Sequence, residues 1–117
     1  MNNEEILIFI KHILENIKKI ESFSNKLSRE ELTNNELVQY AIIRATEIIG
    51  EAVANLPKTF RDKHPEVAWK EIVGTRDKMI HHYFGVNLDI VWDIIKKDLP
   101  KLKEQIEKIL KENKEEK

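Results

Sequence analysis

The residues "EILIFIKHILENIKKI", Glu5 to Ile20, decide the fold, because isoleucine recurs in them at positions 6, 10, 13, 17 and 20. A helix advances about 100° per residue, so steps of three and four residues gather side chains on one face, whereas a half-buried strand needs steps of two. The stretch therefore predicts an amphipathic helix over about Glu4–Ser22, with Phe9 and Leu14 on the edges of its apolar stripe.

The same spacing continues outward. Val38, Ala41, Ile42, Ala45, Ile49, Ala52, Val53 and Leu56 share one face, and so do Val91, Ile94, Ile95, Leu102, Ile106 and Ile109. Alternation with period two is nearly absent, which points to an all-α fold. Ser28 with Glu31 reads as a capping box for a short helical turn, and Asn34 or Asn35 as the cap of a second long helix ending near Leu56. Pro57 suits the first turn of a further short helix, "PKTFRDK", and His64 before Pro65 disfavours its continuation. A third long helix is expected over about Trp69–Tyr83, with Gly85 as its left-handed cap, and Asn87 with Asp89 opens the last one. Pro100 lies inside that last helix and removes a backbone donor, so a kink is expected near Asp98–Pro100.

Four long amphipathic helices with short connections pack most simply as an antiparallel four-helix bundle with extra short helices and a kinked C-terminal helix. Residues 1–112 are read as one domain and 113–117 as a frayed charged tail. Such bundles often dimerise through a leftover apolar strip. Trp92 and Phe84 are candidates for it, with ordinary core aromatics as the plainer alternative.

Composition narrows the chemistry. A formal net charge of −1 gives the 117-residue chain no overall field to draw it onto a polyanion, so any nucleic-acid contact must be local. Absence of cysteine excludes disulfides, thiolate zinc sites and a cysteine nucleophile. No apolar run approaches the roughly 18 residues of a membrane span, and the opening "MNNEEILIFIKH" has acids where a signal peptide is basic. A cytoplasmic protein is expected.

On the third helix Trp69, Ile72, Val73, Arg76, Ile80 and Tyr83 fall on one face, which puts a guanidinium into an apolar stripe. Arginine cannot be discharged, so burial there requires a carboxylate or a phosphate as partner. The second helix carries a polar stripe of Tyr40, Arg44, Glu47, Glu51 and Asn55. Glu47 and Glu51, four apart, repel unless a cation comes between them, so Arg76 is expected against one of the two, within the bundle or across a dimer interface. A solvated salt-bridge stripe is the alternative.

His81 follows Arg76 by five residues, about 140° around an ideal helix, so one chain does not bring the two together. Asp77, four residues before His81, could fix its tautomer and favour the imidazolium. A cleft lined by the same helix end from two subunits removes the geometric objection. Arginine beside a titratable histidine suits cleavage of RNA by its own 2′-hydroxyl, with histidine moving the proton and arginine stabilising the phosphoryl charge. His81 and the adjacent His82 diverge by about 100°, poor geometry for one metal, and His12 and His64 are isolated.

The segment Arg76 to Tyr83 fits R-x4-H-x-Y. With "RATEIIGEA" (Arg44–Ala52), "LPKTFRDKHPEVAWKEIVGTRDKMIHHYFGV" (Leu56–Val86) and "IVWDIIKKDLPKLK" (Ile90–Lys103), it resembles the HEPN-domain toxins of the HepT type, over nearly the whole chain. The resemblance implies a dimeric helical bundle and a metal-independent ribonuclease without cofactor, the toxin of a type VII-like toxin–antitoxin module. It implies that Arg76 and His81 are catalytic; Asp77, Glu47, Glu51 and His82, from their positions in the sequence, are read as supporting residues. It also implies that a minimal nucleotidyltransferase antitoxin silences the toxin by AMPylation of Tyr83. The residue after the arginine is commonly a polar amide in that family and is Asp77 here, an acid that repels RNA phosphates while favouring a protonated histidine. A different class of reading is a non-catalytic helical subunit that binds a minimal nucleotidyltransferase, with Arg76, His81 and Tyr83 as docking residues.

Overall fold

In the first helix, α1 (Asn3–Ser24), the Asn2 side chain accepts from the Glu5 N–H at 2.9 Å and the Glu5 carboxylate reaches back to the Asn2 N–H, a reciprocal cap. Its isoleucine stripe is the centre of the core: Ile10, Ile13, Ile17 and Ile20 are fully buried. The computed structural model describes the backbone of residues 1–81 and 85–115 and the side chains of residues 1–80 and 85–113.

A short helix, α2 (Arg29–Thr33), starts at the expected Ser28–Glu31 capping box. Asn35 rather than Asn34 caps α3 (Glu36–Asn55), accepting from the Val38 N–H at 3.1 Å. Beyond Leu56, Pro57 stands at the cap of α4 (Lys58–Asp62), and Trp69 opens α5 (Trp69–Met79) while its indole N–H donates to the carbonyls of His64 and Arg61. Those two bonds fasten the α4–α5 connection to the core, because Trp69 is itself buried.

The third long helix is shorter than the sequence reading. It ends at Met79, not Tyr83: Ile80 takes extended angles (φ −115°, ψ 122°) and pairs with Val86, as His81 pairs with Gly85, giving β1 (Ile80–His81) antiparallel to β2 (Gly85–Val86). Gly85 does adopt a left-handed φ of +86°, but within this pairing and not as a helix cap. The Asn87 N–H donates to the Met79 carbonyl at 2.7 Å, closing the base of the segment.

Asn87 caps α6 (Leu88–Asp93), which runs through a π-helical turn at Ile94–Asp98 into α7 (Leu99–Glu115). The expected distortion before Pro100 takes the form of this widened turn, in which the Leu99 N–H bonds five residues back to the Ile94 carbonyl. A proline ring crowds the carbonyl four residues earlier, here Lys96, and a π turn moves that carbonyl aside. α7 continues through Glu115, three residues into the tail expected to fray.

The fold is an all-α bundle of HEPN type. α1 packs along α3 and along α7, α3 packs along α5, and α5 meets α6 to complete the ring. Lys103 on α7 joins Glu21 on α1 at 3.0 Å, and this contact raises the lysine pKa above its usual 10.5. A raised pKa means that the pair stabilises the fold below about pH 10.5 and is lost as pH climbs through the folded-state value. Among the described residues no helix is long and apolar enough to cross a membrane.

Candidate functional site

α5 crosses α3 at a glycine. A Cβ built on Gly50 would meet the Val73 carbonyl oxygen at 3.6 Å and the Val73 Cα at 3.7 Å, so the two backbones approach closely there. One turn along each antiparallel helix, the same register brings Glu47 opposite Arg76. Arg76 Nε lies 3.2 Å from Glu47 Oε1. Glu47, not Glu51, is the carboxylate that meets this arginine.

The other Glu47 oxygen lies 3.8 Å from Arg44 Nη1, and the same Arg44 nitrogen lies 3.7 Å from Glu51 Oε1. Arg44 is thus the cation between the two acids. Its spacing to them, three and seven residues along one helical face, was visible in the sequence; the reading placed Arg76 in that role instead. Asp77 Oδ1 lies 3.7 Å from Arg76 Nη1 and adds a second, looser carboxylate.

The surroundings of Arg76 differ from expectation. The buried side of α5 is Trp69 and Met79 with half-buried Ile72, while Val73 and Arg76 are exposed, the Arg76 side chain by 48%. The guanidinium therefore stands at the solvent-facing edge of the α3–α5 seam and carries little of the desolvation cost expected of a core arginine. The angle of 140° drawn between Arg76 and His81 assumed a continuous helix, and the chain leaves the helix at Ile80. For the same reason Asp77 and His81 do not share a helical face. The His81 side chain, His82, Tyr83 and Phe84 lie outside the described residues, and with them their expected roles. Trp92 is half-buried, with Lys96 Nζ 4.7 Å from its ring centre.

His12 and His64 stand away from this face. His64 packs on Phe60 with ring centres 4.8 Å apart and has Glu66 at 3.5 Å, which makes it part of the α4–α5 connection. Among the described residues no group of three or more histidines and carboxylates is placed to hold a metal ion.

Along the same face of α3, Leu37 and Tyr40 are exposed, and on α5, one turn before Arg76, so is Val73. This side of the molecule combines two guanidiniums fixed around one carboxylate with uncovered apolar side chains. Such an arrangement can hold a phosphate and can be covered by another surface. On the opposite flank of α5 a groove of about 490 Å³ separates it from the α6–α7 run, with Ile72, Ile94 and Leu102 in its floor.

Comparison with known proteins gives this geometry a context. Residues 13–109 match the family described as "Ribonuclease HepT-like". The chain is 44% identical over 109 residues to a "Gamma-glutamylcyclotransferase and putative RNase" of Methanocaldococcus jannaschii, covering 93% of this chain and 49% of that protein, so it spans about half the length of that relative. It is 44% identical over 112 residues to a "Putative RNase" of the same organism, covering 96% and 93% of the two chains. With the "Probable ribonuclease HepT" of Thermococcus cleftensis it shares 43% identity over 103 residues, 88% and 94% of the chains. No solved structure matches it. By the extent of the family match and of these relatives, the chain belongs to the HepT-like ribonuclease family.

Proposed function

We propose that this protein is the ribonuclease toxin of a toxin–antitoxin module and cuts RNA without a metal. The observation that carries the reading is Arg76, half-exposed at the edge of the α3–α5 seam, oriented by Glu47 and followed at the fixed spacing by His81 and Tyr83. In the reaction the substrate's 2′-oxygen bonds to the adjacent phosphorus as the bond from phosphorus to the 5′-oxygen breaks. His81 takes the 2′-hydroxyl proton, and the departing 5′-oxygen is protonated by the imidazolium of a second copy. Arg76 holds the non-bridging oxygens, on which charge accumulates. The products are a 2′,3′-cyclic phosphate and a 5′-hydroxyl. DNA lacks the attacking group and is inert.

A homodimer supplies two arginines and two histidines to one cleft. Support for that assembly comes from Leu37, Tyr40 and Val73, apolar side chains exposed on the face that carries Arg76. Regulation follows from Tyr83. A minimal nucleotidyltransferase antitoxin joins its phenolic oxygen to the α-phosphorus of ATP, and pyrophosphate leaves. The added phosphate brings negative charge and bulk, which repel the RNA backbone and keep it out of the cleft.

The test is cleavage of a single-stranded RNA in EDTA, with analysis of the new ends. Wild type should leave a cyclic phosphate, and Arg76→Ala and His81→Ala should each abolish cleavage and growth inhibition with helicity unchanged. Intact mass after co-expression with the neighbouring nucleotidyltransferase should rise by one adenylyl group, and not in Tyr83→Phe. Cleavage that survives in both variants removes the nuclease assignment. A wild-type dimer that cuts nothing leaves the protein a binding subunit of the nucleotidyltransferase.

A further inference from the structure

We propose that Arg44 is a second substrate-binding residue: its guanidinium holds a backbone phosphate of the RNA strand next to the phosphate gripped by Arg76. The proposal rests on the ribonuclease reading above and names a contact that this reading does not contain.

Arg44 and Arg76 come from different helices yet meet at one carboxylate, one on each oxygen of Glu47. Contacts of 3.8 and 3.2 Å to the two oxygens of one carboxylate keep the two guanidiniums on a single small patch, where one strand can reach both. Arg44 is also unspent. Its contacts to Glu47 and Glu51, 3.8 and 3.7 Å, are both longer than a hydrogen bond, and its side chain is 63% exposed. A guanidinium has five N–H donors in a planar fork that matches phosphate oxygens, so those donors are available to a ligand on this face.

The acids around it explain why such a contact is needed. Glu51 and Asp77 lie on the same face, and the whole chain carries a formal charge of −1, so no broad positive field collects RNA. Affinity must then come from a few directed contacts. The strand competes with Glu51 for Arg44, and that ion pair is weak because both side chains are exposed, Glu51 by 66%. Glu51 is in this view a competitor that thins out loosely bound RNA, and Glu47 is the positioning residue that keeps both forks in place.

The experiment measures binding apart from cleavage, using a fluorescent 2′-O-methyl RNA oligonucleotide, which cannot be cut, titrated with the full chain at several salt concentrations. Arg44→Gln should weaken binding about tenfold and make the slope of log K against log salt shallower by about 0.7, the loss of one phosphate contact on a single strand. Arg44→Lys should recover the slope, since it restores the charge, and Glu51→Gln should tighten binding. In cleavage of unmodified RNA, Arg44→Gln should raise KM more than it lowers kcat. Thermal melting of each variant confirms that it is folded. Affinity and salt slope unchanged in Arg44→Gln, while Arg76→Ala abolishes cleavage, overturn this inference and leave the nuclease standing. Wild-type protein that fails to bind the oligonucleotide overturns it as well. The expected loss of binding, in a protein that cuts no RNA, supports Arg44 as a phosphate ligand and removes the nuclease.

Discussion

The two flanks of α5 are built on opposite plans. Against α3 it comes close enough for Gly50 to lie under the Val73 backbone, and the Glu47–Arg76 contact closes the seam at the surface, while Met79 at the end of α5 is fully buried. Against the α6–α7 run it stays apart, leaving the groove of about 490 Å³, whose rim carries Glu71 and Lys78 on one side and Asp98 and Lys101 on the other. Opposite charges face each other there, yet among the described residues no ion pair crosses. One seam has a small residue at the crossing; the other runs beside a π turn and a proline that widen its wall. Charge complementarity alone does not close a helix pair, because an exposed ion pair contributes little, whereas removing a side chain from the crossing lets two backbones pack.

The largest effect is expected where α5 ends in the core. Met79→Ala empties a fully buried position and should cost about 2–5 kcal/mol in chemical denaturation; a loss under about 1 kcal/mol would mean that the core does not anchor the end of α5. A smaller and more diagnostic effect is expected at the crossing. Gly50→Leu should lose about 1–3 kcal/mol by forcing α5 outward. Gly50→Ala should be neutral or gain up to about 1 kcal/mol, since a Cβ there meets ordinary van der Waals distances and alanine favours the helix. On the open flank the same kind of change should barely register. Glu71→Ala should alter stability by no more than about 0.5 kcal/mol and leave RNA cleavage at the wild-type rate, as measured by urea melts and the cleavage assay. A large loss there would show that the groove closes in solution and that its charges pair.

Most of the bundle could be read from the sequence because its buried positions are isoleucines at strict helical spacing; Ile6 through Ile20 needed no tertiary knowledge. The caps at Ser28 and Asn87 were equally legible, since their side chains bond within three residues. α5 was not. Val73, Arg76 and Ile80 fit a helical period, but the period does not say which flank faces the core, and that is settled by how α3 approaches at Gly50. Its early end had a signal that helical counting passed over: from Ile80 to Val86 the chain is a run of β-branched, aromatic and histidine residues broken by one glycine, a composition that favours strands. Glu47 as the partner of Arg76 was one of two candidates. Only the register of two helices separated it from Glu51.

One backbone contact reaches furthest. Asn87 N–H to Met79 carbonyl, at 2.7 Å, ties the end of α5 to the cap of α6 at a single point. The β1–β2 pairing is thereby clasped to the helices at its base, and α5 and α6 keep their places whatever the chain does further out. Extra residues there add only the slowly growing entropy of a longer closed loop. Like a buckle on a strap, the clasp uncouples the length between its two ends from the packing of the bundle.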